Sequence, residues 1–271
     1  MAIRWPRLPS LLDFAVLTDR TPMRAIRTVF RIVFMVLAVT AAILLRPWVR
    51  LTGPSGREAN RAAWLQSICR YALCVLRVRV EIRGTPPTGG IVVANHLGYA
   101  DIVSLGSAMP CRFVSKASVR HWPVFGPLVV MAGTLFVERE KRGQAAAQVD
   151  ELTRAAQGGL PVVFFPEGTT SDGAGVLPFR SSLLAAATQT GCPVTPVAIR
   201  CFYEDSTPNR ELPYYGGDLF VPHLMGLFAR GTRSIVRLEF GPPQTGDDRK
   251  ELAVRLRDWI AAEVAGPGPQ L

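Results

Sequence analysis

Only three histidines occur in the 271 residues, and one of them, His96, is separated by four residues from Asp101 in the stretch Ala-Asn-His-Leu-Gly-Tyr-Ala-Asp. The pair follows the apolar run Ile91-Val92-Val93. On one continuous helix, two residues five apart would point about 140° away from each other. They can meet if a strand ends near Ala94, the chain turns through His96, and Asp101 lies in the first turn of the next helix. That arrangement puts both at the carboxyl end of a strand, where α/β folds keep their sites. An aspartate bonded to one ring nitrogen fixes the tautomer and stabilises the imidazolium, leaving the other nitrogen to take up a proton. The same residues also read as a plain turn, with Asn-His closing a strand and Asp opening a helix.

A relay of this kind calls for a nucleophile. There is no Gly-x-Ser-x-Gly elbow, so an α/β-hydrolase arrangement has no support. No Walker loop or Gly-x-Gly-x-x-Gly fingerprint occurs either. A base without a protein nucleophile can still activate a hydroxyl of the substrate, which is the logic of direct acyl transfer. Two further stretches end apolar runs in the same way. In Phe165-Pro-Glu-Gly-Thr-Thr-Ser-Asp-Gly173, the backbone amides of a Gly/Thr/Ser-rich turn can cradle an anionic or polyhydroxyl group. Glu167 could orient a hydroxyl there or hold the loop. In Gly133-Thr-Leu-Phe-Val-Glu-Arg139, Arg139 offers a planar fork for phosphate or carboxylate. A decorated turn and a surface salt bridge are the plain alternatives.

The elements that must carry these residues follow from the apolar pattern. Short β-branched runs predict strands over Val78–Arg83, Ile91–Ala94, Arg112–Ser115, Thr134–Glu138, Val162–Phe165, Val194–Arg200 and Ile235–Phe240. Helical spacing predicts helices over Asp101–Met109, Val124–Met131, Gly143–Gln157, Ser181–Thr190 and Arg249–Ala265. Such alternation implies an α/β domain around a mixed, largely parallel sheet flanked by helices. We place that domain at 81–271, behind basic N-terminal helices at 1–80. His121 and His223, the latter in an aromatic loop after Pro222, read as packing or surface residues.

The formal charge of +10 first suggests nucleic acid. Residues 1–80, however, hold thirteen arginines against Asp13, Asp19 and Glu58, while the rest of the chain has eighteen basic and eighteen acidic side chains. A nucleic-acid binder spreads basic residues through its folded domain, so none is expected as a partner. The basic segment also contains the apolar run Ile32–Leu45, flanked by Arg24, Arg27, Arg31, Arg46 and Arg50. Arginines beside an apolar helix suit anionic headgroups, at about 1 kcal/mol each. Fourteen helical residues reach only ~21 Å against a hydrocarbon core of ~30 Å, so an interfacial helix is expected over a spanning one. A second helix, with Trp64, Ile68, Tyr71 and Val75 on one face, lies either in the same interface or against the core. The five cysteines show no Cys-x-x-Cys spacing, and no metal site or cofactor is expected.

The blocks Asn95-His96 to Asp101, Gly133 to Arg139, Phe165 to Thr169 and Val194-Thr-Pro196-Val-Ala-Ile199 stand in the order and spacing of the four motifs of the glycerophospholipid acyltransferases. Over residues 80–245 the chain resembles the bacterial 1-acylglycerol-3-phosphate acyltransferases. The resemblance implies that His96 is the base and Asp101 its holder. It also implies an acceptor site drawn from Lys116, Gly133, Phe136, Arg139, Glu167, Gly168 and Thr169, with Pro196 shaping the acyl pocket. The implied partners are a lysolipid acceptor, an acyl carrier protein or coenzyme A thioester, and an anionic membrane. The catalytic domain would face the cytosol at the inner membrane, and the implied product is phosphatidic acid made from lysophosphatidic acid. One departure stands out: many members carry arginine after Phe-Pro-Glu-Gly-Thr, and here the residue is Thr170. The Thr-Thr-Ser-Asp-Gly continuation resembles the lyso-ornithine lipid acyltransferase branch, which is the alternative. A lipid hydrolase and a nonenzymatic membrane adaptor are remoter readings.

Overall fold

A computed structural model describes residues 22–44, 54–123, 125–138 and 145–266. Seven strands form one sheet: β1 (Val78–Arg83), β2 (Ile91–Ala94), β3 (Arg112–Lys116), β4 (Leu135–Val137), β5 (Val162–Phe164), β6 (Val194–Tyr203) and β7 (Ser234–Phe240). Their order is β1-β7-β6-β2-β5-β3-β4, and every neighbouring pair is parallel except β6 with β7. The helices are α1 (Pro22–Leu44), α2 (Pro54–Leu76), α3 (Tyr99–Ala108), α4 (Phe125–Met131), α5 (Ala145–Gln157), α6 (Ala185–Thr190), α7 (Phe220–Ala229) and α8 (Arg249–Ala265).

All four residues of β2 are fully buried. A strand covered on both faces loses polar alternation and becomes uniformly apolar. Val92 and Ala94 face a core completed by Leu73 and Leu76 of α2, Leu105 of α3 and Leu227 of α7. Ile91 and Val93 face the other core, with Leu152 of α5, Ala186 of α6 and Leu252, Leu256 and Ile260 of α8. The sheet therefore lies between two helical layers, and the carboxyl ends of β2, β3, β5 and β6 open on one rim.

Three elements differ from the sequence reading. Helix α7 falls in the stretch read as an aromatic loop; Pro222 is its third residue, and the first turn tolerates proline because its N–H groups have no intrahelical partner. Strand β6 runs on to Tyr203, three residues further than its apolar pattern suggests. The buried stripe of α2 is Ala62, Cys69, Leu73 and Leu76, and Tyr71 is exposed. That stripe is rotated from the predicted face because α2 packs on α3 and the sheet.

Helix α1 is two-sided. Ile32 and Met35 pack against the core, while Ile26, Val29, Phe30, Val33, Phe34 and Leu37 are exposed. Two of its arginines turn inward: Arg31 Nη1 donates to the carbonyls of Phe228 and Arg230 at 2.7 Å, and Arg27 Nη2 donates to that of Ala229 at 3.2 Å. They satisfy carbonyls at the end of α7, where the helix dipole favours positive charge. These two charges serve the fold. Among the described residues, no helix is long and apolar enough to cross a membrane.

Candidate active site

The chain leaves β2 at Asn95, whose buried side chain continues the sheet in place of a further strand residue. Its Nδ2 donates to the carbonyl of Ile199 at 3.0 Å, and Ile199 N–H donates to its Oδ1 at 2.7 Å. With the ladder closed by a side chain, the backbone is free to turn, and His96 stands at the rim.

Asp101 is the third residue of α3 and is completely buried. Its Oδ2 accepts from His96 Nδ1 at 2.8 Å, from Leu97 N–H at 2.5 Å and from Gly98 N–H at 2.9 Å. Reaching back to the amide before the helix is a helix-capping contact, in which a side chain satisfies an otherwise orphan donor. The carboxylate thus caps α3 and orients the ring together. With Nδ1–H donating a hydrogen bond to Asp101, Nε2 carries the free lone pair, the tautomer a general base needs. The His96 side chain is 18% exposed, enough for a substrate to reach it.

The loop after β5 closes on the same histidine. The Phe165 ring lies parallel to the imidazole, with centroids 3.9 Å apart and planes inclined by 12°. Ser171 N–H donates to the His96 carbonyl at 2.8 Å. Gly168 turns this loop with φ +75°, a left-handed conformation that glycine adopts without strain. Glu167 is buried, and neither of its carboxyl oxygens has a hydrogen-bond partner. Burial pushes that carboxyl up to about 7; the amides of His96 and Leu177 oppose the rise without reaching hydrogen-bond geometry, and Asp101 adds to it.

The structure brings only some of the other expected residues to this rim. Thr169 and Gly168 lie in the loop, and Lys116 ends β3 beside Val137. Phe136 sits on edge strand β4 beneath the guanidinium of Arg120, 4.5 Å from its ring centroid. Gly133 stands at the opposite end of the sheet: it precedes β4, has φ +74°, and its carbonyl accepts from Arg112 at the start of β3. Its position is that of a turn between α4 and β4, away from His96. Arg139 lies outside the described residues. Pro196 is in β6 opposite Val93, with its carbonyl bonded to Gly241 N–H.

Several residues around the site carry no signal in the local pattern. Tyr214 N–H donates to the Leu97 carbonyl at 2.7 Å. A Cβ on Gly98 would come within 2.9 Å of that Tyr214 nitrogen, so the turn between His96 and Asp101 requires glycine for close approach. Tyr99 donates its hydroxyl to His223 Nδ1 at 2.7 Å, and His223 Nε2 donates to the Pro213 carbonyl at 3.0 Å. His223, lowered by burial, is the neutral strut joining α7 to the turn between His96 and Asp101.

A cavity of about 460 Å³ opens beside the loop. Phe165, Pro166 and Gly168 form one wall, and Glu138, Asp150, Arg180 and Arg249 bring both signs of charge to it. Among the described residues, no group of three or more His, Cys, Asp or Glu could hold a metal ion.

A turn that fixes an imidazole by a buried carboxylate at the rim of a largely parallel sheet defines a class. Residues 77–200 match the Acyltransferase family profile. The chain is 34% identical over 254 residues to the lyso-ornithine lipid O-acyltransferase of Pseudomonas aeruginosa, covering 90% of this chain and 96% of that protein. It is 29% identical over 221 residues to the 1-acyl-sn-glycerol-3-phosphate acyltransferase of Neisseria gonorrhoeae, covering 79% and 85%. The crystal structure of the 1-acyl-sn-glycerophosphate acyltransferase of Thermotoga maritima shares the fold, with a TM-score of 0.64 at 21% identity over 89% of this chain and 96% of that one. The chain belongs to the Acyltransferase family and is an acyltransferase.

Proposed function

We propose that this acyltransferase esterifies the hydroxyl of a lyso-ornithine lipid with a fatty acyl group taken from an acyl carrier protein or coenzyme A thioester. The observation that carries the chemistry is the 2.8 Å contact between His96 Nδ1 and Asp101 Oδ2, which leaves Nε2 as the basic nitrogen. The acceptor hydroxyl gives its proton to Nε2 as its oxygen attacks the thioester carbonyl. Asp101 stabilises the imidazolium. When the tetrahedral adduct collapses, the carbon–sulfur bond breaks, the proton passes to the departing thiolate, and an ester and a free thiol result.

The choice of acceptor departs from the sequence reading, which put lysophosphatidic acid first. The Pseudomonas relative is both more identical and more fully covered than the Neisseria one. Thr170 stands where many family members carry a phosphate-suited arginine. The neighbouring cavity supports the same choice, because an amide-linked ornithine keeps a carboxylate and an ammonium, and the walls offer Arg180 and Arg249 together with Glu138 and Asp150. Glu167, being buried, suits holding the loop better than touching the acceptor.

The acceptor arrives from a membrane surface. The exposed apolar face of α1 and the N-terminal arginines support an interfacial attachment, with the site facing the cytosol at the inner membrane. Purified protein in detergent, given labelled acyl donor with lyso-ornithine lipid or lysophosphatidate in parallel, tests the acceptor. A kcat/KM at least tenfold higher for lyso-ornithine lipid is expected. A preference for lysophosphatidate overturns the proposal in favour of phosphatidic acid synthesis.

A further inference from the structure

Asp101 holds the catalytic imidazole by one edge, through Nδ1. A ring held at one edge can still swing about that contact, and a general base displaced by 1 Å can lose about a hundredfold in rate. The second restraint comes from the loop after β5. The Phe165 ring covers one face of the imidazole at 3.9 Å, nearly parallel to it. Ser171 N–H binds the His96 carbonyl from the same loop. Phe165 is itself 9% exposed and enclosed by the core of Ala94, Leu97 and Val197. The stack is therefore built into the fold, and the free edge of the ring is the one that carries Nε2.

From this geometry we infer that Phe165 is a positioning residue for the acyl transfer, fixing the plane of His96 and favouring its cationic form as the acceptor's proton arrives. The face of a benzene ring is electronegative, and a cation within about 6 Å of its centroid is attracted to it. Neutral imidazole gains little from that field, whereas imidazolium gains more. The stabilisation therefore grows as the proton moves onto Nε2, so it acts on the transition state rather than on substrate binding. Removing the aromatic face should lower kcat about tenfold and leave KM within about twofold. The ionisable side chain bonded to the ring is Asp101 from α3; Glu167, two residues beyond Phe165 in the same loop, is buried, and burial raises its carboxyl to about 7.

This inference rests on His96 being the base, as in the proposed function, but its test does not depend on which lysolipid is the acceptor. Phe165→Leu keeps an apolar side chain of similar bulk and loses the aromatic face. Replacing Phe165 with fluorinated phenylalanines weakens the face stepwise and barely changes the shape, which guards against a Leu variant that misfolds. Two readouts are taken: steady-state acyl transfer, and titration of the His96 ring by nitrogen-15 NMR without any substrate. Repeating the titration in a Glu167→Gln background keeps the ionisation of Glu167 out of the reading. We expect kcat to fall with each added fluorine and the ring's titration midpoint to move to lower pH, by about one unit in Phe165→Leu. A fluorinated series with unchanged kcat and an unmoved midpoint would overturn the inference and reduce Phe165 to packing. If neither lysolipid is esterified by the unaltered protein, the acceptor assignment fails while the titration still decides the role of Phe165.

Discussion

One oxygen of Asp101 accepts from three donors, so with four residues between His96 and Asp101 a helix-capping carboxylate also reaches the preceding imidazole. That much is legible in the chain, since His96 follows an apolar run and Asp101 falls in a first helical turn. Phe165 and Glu167 are legible as parts of a motif, but their relations to His96 are not, because a stack and a buried orphan carboxyl depend on how two strand ends converge. Glu167 makes a prediction about stability. Its carboxyl rises from 4.5 toward about 7 on folding, so the native state holds the proton more tightly than the unfolded chain does. The resulting stability is present below about pH 4.5 and is lost as pH rises through 7. Glu167→Gln, which cannot ionise, should therefore melt several degrees higher than the unaltered protein at pH 8, on the order of 2 kcal/mol. The two should converge near pH 5 in thermal melts; equal melting at both pH values would contradict the buried-carboxyl account.

At the scale of elements, β2 is short because Asn95 finishes its work. The amide pairs with both backbone groups of Ile199, so the ladder continues while the chain departs. Asn95→Ala leaves a buried N–H and C=O without partners, and such groups cost roughly 1–3 kcal/mol each. A loss of about 2–4 kcal/mol in denaturant unfolding is expected, with a fall in kcat because His96 loses its anchor. A change under 0.5 kcal/mol would mean that water replaces the amide. The strands and most helices were readable because burial on two faces makes strands uniformly apolar and amphipathic helices periodic. Helix α7 was not readable, since Pro222 and Gly226 disguise it. Its reason for folding lies elsewhere, in Arg27 and Arg31 of α1 at its carboxyl end and Tyr99 of α3 on His223. Contacts across about two hundred residues leave no local trace in a sequence.

For the whole molecule, the +10 charge lies in the first 80 residues, and the exposed apolar stripe of α1 lies among those charges. Part of the positive charge is internal, through Arg27 and Arg31, so the proposed attachment to a membrane should depend more on the stripe than a charge count implies. Replacing exposed Phe30 and Phe34 by serine removes two side chains, each worth roughly 1.5–3 kcal/mol when buried in lipid. Flotation with vesicles containing phosphatidylglycerol should show at least a tenfold loss of binding, and unchanged flotation would place the attachment on another surface. The central claim is that the imidazole of His96, oriented by Asp101, takes the proton of the acceptor hydroxyl. The most direct measurement is the rate of lysolipid-dependent thiol release by folded His96→Ala beside the unaltered protein in detergent. A loss of about 10²–10⁴-fold with acceptor KM little changed is the expected result, and a variant that still esterifies within threefold of the original rate would contradict the account.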